Sequence, residues 1–178
     1  GTLLIAGTDA TLLTISGNNQ SRMFFNASGA STVIRDLTIK DGREASSDGG
    51  AIHNGVARLS LIGVSVINNV AVNGGGIKNE GGGILSLTDS TVSGNASSEN
   101  GGGIKIGYSP PNFGTLSITN SIVRGNTALN GGGLSTEFAT VTIGQSLFEN
   151  NSVTGYGGGI SSLRDAIRVE NSTFSRNS

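Results

Sequence analysis

The chain has 178 residues, with 11 Lys and Arg against 12 Asp and Glu, no Cys, and 30 Gly but only 2 Pro. A net charge of −1 with no basic block excludes a nucleic-acid binder. The absence of Cys excludes disulfides and thiolate chemistry, and no G-X-Y period marks a collagen. Apolar residues make up 35% and aromatics 4%, which suits a narrow column of Ile, Leu and Val better than a round core. No run of eighteen apolar residues offers a membrane-spanning helix.

In chain order, the first recurring element is Ile15-Ser-Gly-Asn18, an apolar residue with Asn three positions on. It returns as Val66…Asn69, Val92…Asn95, Val123…Asn126, Phe148…Asn151 and Phe174…Asn177, while Ile39…Gly42 has Gly in the Asn place. Successive steps are 24, 27, 26, 31, 25 and 26 residues. Five residues upstream of these apolar positions lie Ile34, Leu61, Leu87, Ile118, Ile143 and Val169, and two before those Thr32, Leu59, Leu85, Leu116, Val141 and Ile167. Polar residues such as Ser60, Ser86 and Ser117 alternate with them, the period of two that strands impose. A third element ends at Ile52, Ile77, Ile104, Leu134 and Ile160, each just after a glycine pair or triplet. Counting nine residues back from Ile34 puts Phe25 in the same place in the first unit.

Three short strands per unit, separated by Gly-, Asn- and Ser-rich turns, predict a parallel β-helix (a β-solenoid) of about six coils of 24–31 residues. Each strand then pairs with its equivalent one coil away. At ~4.8 Å per coil the stack is roughly 29 Å long. The domain is expected to span 1–178 and to be a fragment of a longer solenoid, because a cut stack presents open strand edges.

The repeated Asn closes a strand, so an inward ladder is expected through Asn69, Asn95, Asn126, Asn151 and Asn177. The competing reading is glycosylation, since Asn26-Ala-Ser, Asn95-Ala-Ser and Asn171-Ser-Thr are sequons. Of the two GGG runs in Asn73–Leu87, the first is in register with the other third-strand entries. The second, Gly81–Gly83, belongs to the next turn. Neither leads into a helix or a GK[ST] ending, so neither is a phosphate loop.

The pair of motifs GGA[I/L/V] and FxxN resembles the repeats of polymorphic outer membrane proteins and related right-handed β-helix repeat proteins of bacterial surfaces. Gly49-Gly-Ala-Ile52 and Phe174-Ser-Arg-Asn177 match letter for letter, and Phe148…Asn151 also fits. The resemblance implies a right-handed solenoid exported to the bacterial cell surface or outer membrane, or secreted. There it would act without catalysis as a stalk, adhesin passenger or assembly component. The competing class is a polysaccharide-binding or pectate lyase-like β-helix with its catalytic coils outside this segment.

No catalytic constellation is legible. Asp36 and Asp41 align with Gly63 and Asn68 in the next coil, so no repeat-aligned acid pair accumulates for glycosidase chemistry. No metal site and no cofactor is expected. The binding candidates are a basic row, His53–Lys78–Lys105, continued by Ser135 and Ser161, and the long turn 105–115 with Tyr108 and Phe113. The row is expected to face outward, where it either binds an anionic group or is a solvated face that discourages sheet association. The turn is either an aromatic contact point or a tolerated insertion. Expected partners are further coils or other chains at the solenoid ends, and surface glycans.

Overall fold

The computed structural model describes residues 1–107 and 112–178. Among the described residues all regular structure is strand, and the strands pair in parallel between coils to form a β-helix. Two seven-stranded sheets run the length of the stack. The first holds Leu3–Ala6, Ser31–Arg35, Arg58–Ile62, Ile84–Thr88, Gly114–Thr119, Ala139–Gly144 and Ala166–Glu170. The second holds the three-residue strands from Thr14–Ser16 to Thr173–Ser175. A six-stranded sheet contains Phe24–Asn26, Ile52–Asn54, Ile77–Asn79, Ile104–Ile106, Leu134–Glu137 and Ile160–Leu163.

The turn after the repeated Asn adds a further short strand in five coils: Arg43–Glu44, Val70–Asn73, Ala96–Asn100, Thr127–Ala128 and Ser152–Val153. These segments carry no apolar alternation. They are mostly half-buried or exposed, and their backbone N–H and C=O groups pair across coils with the equivalent segment of the neighbouring coil.

The registers are those the apolar spacing implies in every coil but one. Ile34, Leu61, Leu87, Ile118, Ile143 and Val169 stand in one column. Ile39, Val66, Val92, Val123 and Phe148 stand in another. Each of these but Val169 is buried, and together with Ile52, Ile77, Ile104 and Leu134 they form a continuous apolar core. The exception is Phe25. Phe24 pairs with Ile52, and Phe25 pairs with His53 on the outer face, where it is exposed. The turn from Asn26 to Ser31 is one residue longer than that from Asn54 to Arg58, which shifts the count by one.

The corners repeat as strictly as the strands. Between the first two sheets the left-handed region is occupied in turn by Asp36, Gly63, Asp89, Asn120, Gln145 and Asn171, with φ from 48° to 61°. Gly, Asn and Asp visit that region at least cost, which explains their recurrence there. One residue beyond this corner, Ser90, Ser121, Ser146 and Ser172 each accept the backbone N–H of the preceding coil at 3.1 Å. In the first GGG, Gly74 has φ of 62°, and a Cβ on Gly75 would lie 2.3 Å from the Ala96 carbonyl oxygen. The two glycines therefore answer different constraints, one torsional and one steric.

Candidate functional site

The polar interior determines which polar groups remain free for a ligand. Each of Asn69, Asn95, Asn126 and Asn151 is fully buried. Its Nδ2 donates to the Oδ1 of the Asn in the next coil at 2.9–3.0 Å, ending on Asn177. The same Oδ1 accepts the backbone N–H of the previous Asn, at 2.9–3.1 Å. The second Nδ2 proton goes to a strand carbonyl, as from Asn126 to Val92 O at 3.0 Å. This column is the one the repeat pattern singles out.

Two further amide columns were not anticipated. In the first, Asn26 donates to Asn54 and Asn54 to Asn79, each at 2.6 Å. Ile106, Thr136 and Ser162 then replace Asn, so the column spans too few coils to stand out. In the second, Asn73 donates to Asp48 at 3.0 Å, Asn100 to Asn73 at 3.1 Å and Asn130 to Asn100 at 3.2 Å. Tyr156 closes this column with its backbone N–H on Asn130 Oδ1, at 3.0 Å. The available signal was the residue immediately before each GG: Asp48, Asn73, Asn100, Asn130 and Tyr156.

That last column borders the basic row. His53, Lys78, Lys105, Ser135 and Ser161 are indeed neighbours in register. The row is not an open solvated face, however. Lys78 is 7% exposed and ion-paired to Asp48 at 2.7 Å, with Glu80 at 3.9 Å. His53 Nε2 meets Glu80 at 3.0 Å, and its ring lies against Phe25 at 5.2 Å between centroids. The turn that ends at Asp48 and the residue after Asn79 bring acids over the row, which covers and neutralises its first half. The Glu80 carboxyl is held below its ordinary range, first by the His53 hydrogen bond and also by Lys78, against a counteracting burial. For Asp48 burial is the largest influence and acts upward. The hydrogen bond and charge of Lys78, with help from Asn73 and His53, outweigh it and leave the pKa lowered.

The second half of the row lacks that acidic cover, although Ser135 is buried and Lys105 and Ser161 are half-buried. Lys105 makes no ion pair among the described residues, and its Nζ donates to Ser135 Oγ at 3.2 Å. Burial is the main cause holding its pKa below the ordinary lysine value, with Lys78 adding to it and Glu137, Asp165 and Asp48 opposing. Beside it lies a cleft of about 340 Å³, lined by Asn100, Asn130, Ser135, Glu137, Tyr156 and Ser161. Tyr156 is 81% exposed. Asp165 is already saturated, accepting from Thr136, Ala139 N, Ser162 and Leu163 N. Phe113 is exposed and sits 6.3 Å from Phe138, centroid to centroid. Tyr108 lies outside the described residues. Among the described residues no group of three or more His, Asp and Glu gathers as a metal site.

These features define a parallel β-helix repeat protein whose polar columns are bonded coil to coil. The Chlamydia polymorphic membrane protein (Chlamydia_PMP) repeat matches residues 145–163. The chain is thus similar, over that stretch, to polymorphic membrane proteins, a likeness that points to a bacterial outer-membrane or cell-surface protein. Neither a curated protein nor a solved structure matches the chain significantly.

Proposed function

We propose that this chain is a non-enzymatic structural and adhesive module of the bacterial surface, a stalk or passenger segment. The observation that carries this reading is the commitment of the buried amides to one another. From Asn69 to Asn177 each ladder amide donates to a neighbouring coil, which serves stacking and leaves none of those groups for substrate. The carboxylates nearest the basic row, Asp48 and Glu80, are engaged by Lys78 and His53. A glycosidase needs two carboxylates facing one cleft, and among the described residues the cleft beside Lys105 is lined by one, Glu137.

The test couples two assays on the purified chain. Beads coated with it are presented to cells and to immobilised glycans, and the soluble chain is incubated with polygalacturonate and related polyuronates. Attachment without release of reducing or unsaturated ends supports the reading. Measurable cleavage that survives repurification overturns it in favour of a polysaccharide-degrading β-helix.

A further inference from the structure

The geometry points to a saccharide-binding cleft at Lys105, selective for sugars that carry a carboxylate. The inference deepens the adhesive reading and rests on it for its biological sense, but soluble sugars test it independently of attachment.

Hydrogen-bonding capacity decides the ligand class. An ammonium has three donors, and Lys105 gives one to Ser135. A primary amide has two, and both Asn100 and Asn130 give one to the preceding rung of their column. Two ammonium protons, one amide proton from each Asn and the Ser135 hydroxyl proton are therefore available around the cleft. Such a donor-rich wall calls for a ligand rich in acceptors. A half-buried ammonium beside it favours an anionic one, because charge-assisted bonds are about twice as strong as neutral ones.

Glu137 sets the remaining requirement. It makes no ion pair among the described residues, and it repels a small, uniformly anionic ligand while accepting hydroxyl protons well. A carboxylated sugar satisfies both ends, with its carboxylate on Lys105 and its hydroxyls on Glu137. Tyr156 stands at the rim with its ring in solvent, offering an apolar face to a pyranose. The volume of about 340 Å³ lies at the small end of the ~300–1,000 Å³ typical of ligand sites, enough for a short saccharide.

The same chemistry occurs in uronates and in sialic acids, so the titration has separate arms. Oligogalacturonate, glucuronate and N-acetylneuraminate are titrated into the chain by calorimetry, against galactose, glucose and acetate. We expect at least one acidic sugar to bind about 10- to 100-fold more tightly than its neutral counterpart and than acetate. Lys105→Met should erase that preference, Tyr156→Ala should weaken binding of every sugar, and Lys40→Met should change nothing. Glu137→Gln should raise affinity for acetate relative to the sugar, by removing both the repulsion and the hydroxyl acceptor. Equal binding of neutral sugars, equal binding of acetate, or no binding of any acidic sugar at about 10 mM overturns the proposal. If Lys105→Met fails to fold, the Glu137→Gln and Tyr156→Ala arms decide, and unchanged affinities in both overturn it. Sugar binding without bead attachment would sink the adhesive reading alone, whereas attachment without sugar binding would sink only this one.

Discussion

Replacing Asn126 by Ala removes the middle rung of the longest amide ladder. In the native chain Asn126 Oδ1 accepts from Asn95 N and Asn95 Nδ2, both at 3.0 Å. Its Nδ2 donates to Val92 O at 3.0 Å and to Asn151 Oδ1 at 2.9 Å. The site is 0% exposed, so water does not replace these partners. Asn151 Oδ1 keeps the backbone N–H of residue 126, and Asn95 Nδ2 keeps Val66 O, so neither is orphaned. The Asn95 N–H loses its partner outright, and Val92 O loses one donor. At ~1–3 kcal/mol for each buried group left unmade, the loss is about 3–5 kcal/mol. Asn177→Ala, at a part-buried rung, should cost about 1–2 kcal/mol.

The assay is urea unfolding followed by far-UV circular dichroism. Because a stack of coils need not unfold in one step, amide hydrogen exchange at residue 95 supplies a local measure. That amide should exchange at least tenfold faster in Asn126→Ala, since 1.4 kcal/mol corresponds to a factor of ten. Asn126→Asp adds a sign. The buried carboxyl has a raised pKa, so the variant is least destabilised at low pH and loses stability as pH rises through that value. A loss below about 1 kcal/mol in Asn126→Ala, equal to that in Asn177→Ala, would refute the ladder as a major stabiliser.

Four further outcomes follow from local geometry. Gly75→Ala should destabilise the stack by about 2–3 kcal/mol or more, because the new Cβ meets Ala96 O at 2.3 Å and Gly102 O at 2.5 Å. Gly144→Ala, with nothing within 4 Å, should be neutral or stabilising by about 0.5 kcal/mol in the same melts. The lowered pKa values of Asp48 and Glu80 contribute stability that is present above their ordinary values of 3.8 and 4.5 and is lost as pH falls through the folded-state values. Acid titration should therefore loosen the coils around Lys78, and Asp48→Asn should flatten the acid limb of the stability profile. If the chain is secreted from a glycosylating host, peptide mass spectrometry should find glycan at Asn171, which is exposed, and none at Asn95, which is fully buried.

The strand columns were legible because the apolar alternation of each strand repeats at a nearly constant step. A one-residue slip would expose the whole column, so register follows from burial alone. Phe25 shows the limit of that logic. Two adjacent phenylalanines satisfy the pattern equally well, and only the length of the turn closed by Gly29, with φ of 79°, decides that Phe24 points inward. The basic row was legible as a row but not as a partly buried one, since its acidic cover does not recur from coil to coil. Asp48 is followed in its column by Asn73, Asn100 and Asn130, and Glu80 by Gly107, with a carboxylate returning only two coils on at Glu137. The cleft had the weakest signal, because it is formed by what the columns cease to be.

That change of residue type is the physical origin of the cleft, and it can be reversed. The column before the glycines runs Asp48, Asn73, Asn100 and Asn130, and each Asn donates its side chain to the one before. At the next step Tyr156 interrupts it, bonding through its backbone alone and turning its ring into solvent. Within the same two coils Lys gives way to the shorter Ser135 and Ser161, leaving the half-buried Lys105 beside the space they vacate. Tyr156→Asn restores the rung. Asn73 Oδ1 already accepts both the N–H and the Nδ2 of Asn100, at 3.2 and 3.1 Å, and Asn130 Oδ1 has the same second lone pair to offer. The substitution forfeits little burial, because the ring is mostly exposed, and adds one hydrogen bond. We therefore expect a stability gain of about 0.5–1 kcal/mol together with a loss of sugar affinity. A stabilised variant that binds acidic sugars as well as the native chain would show that the aromatic rim is not part of the site. A destabilised one would show that Tyr156 holds the last coil by packing rather than interrupting a ladder.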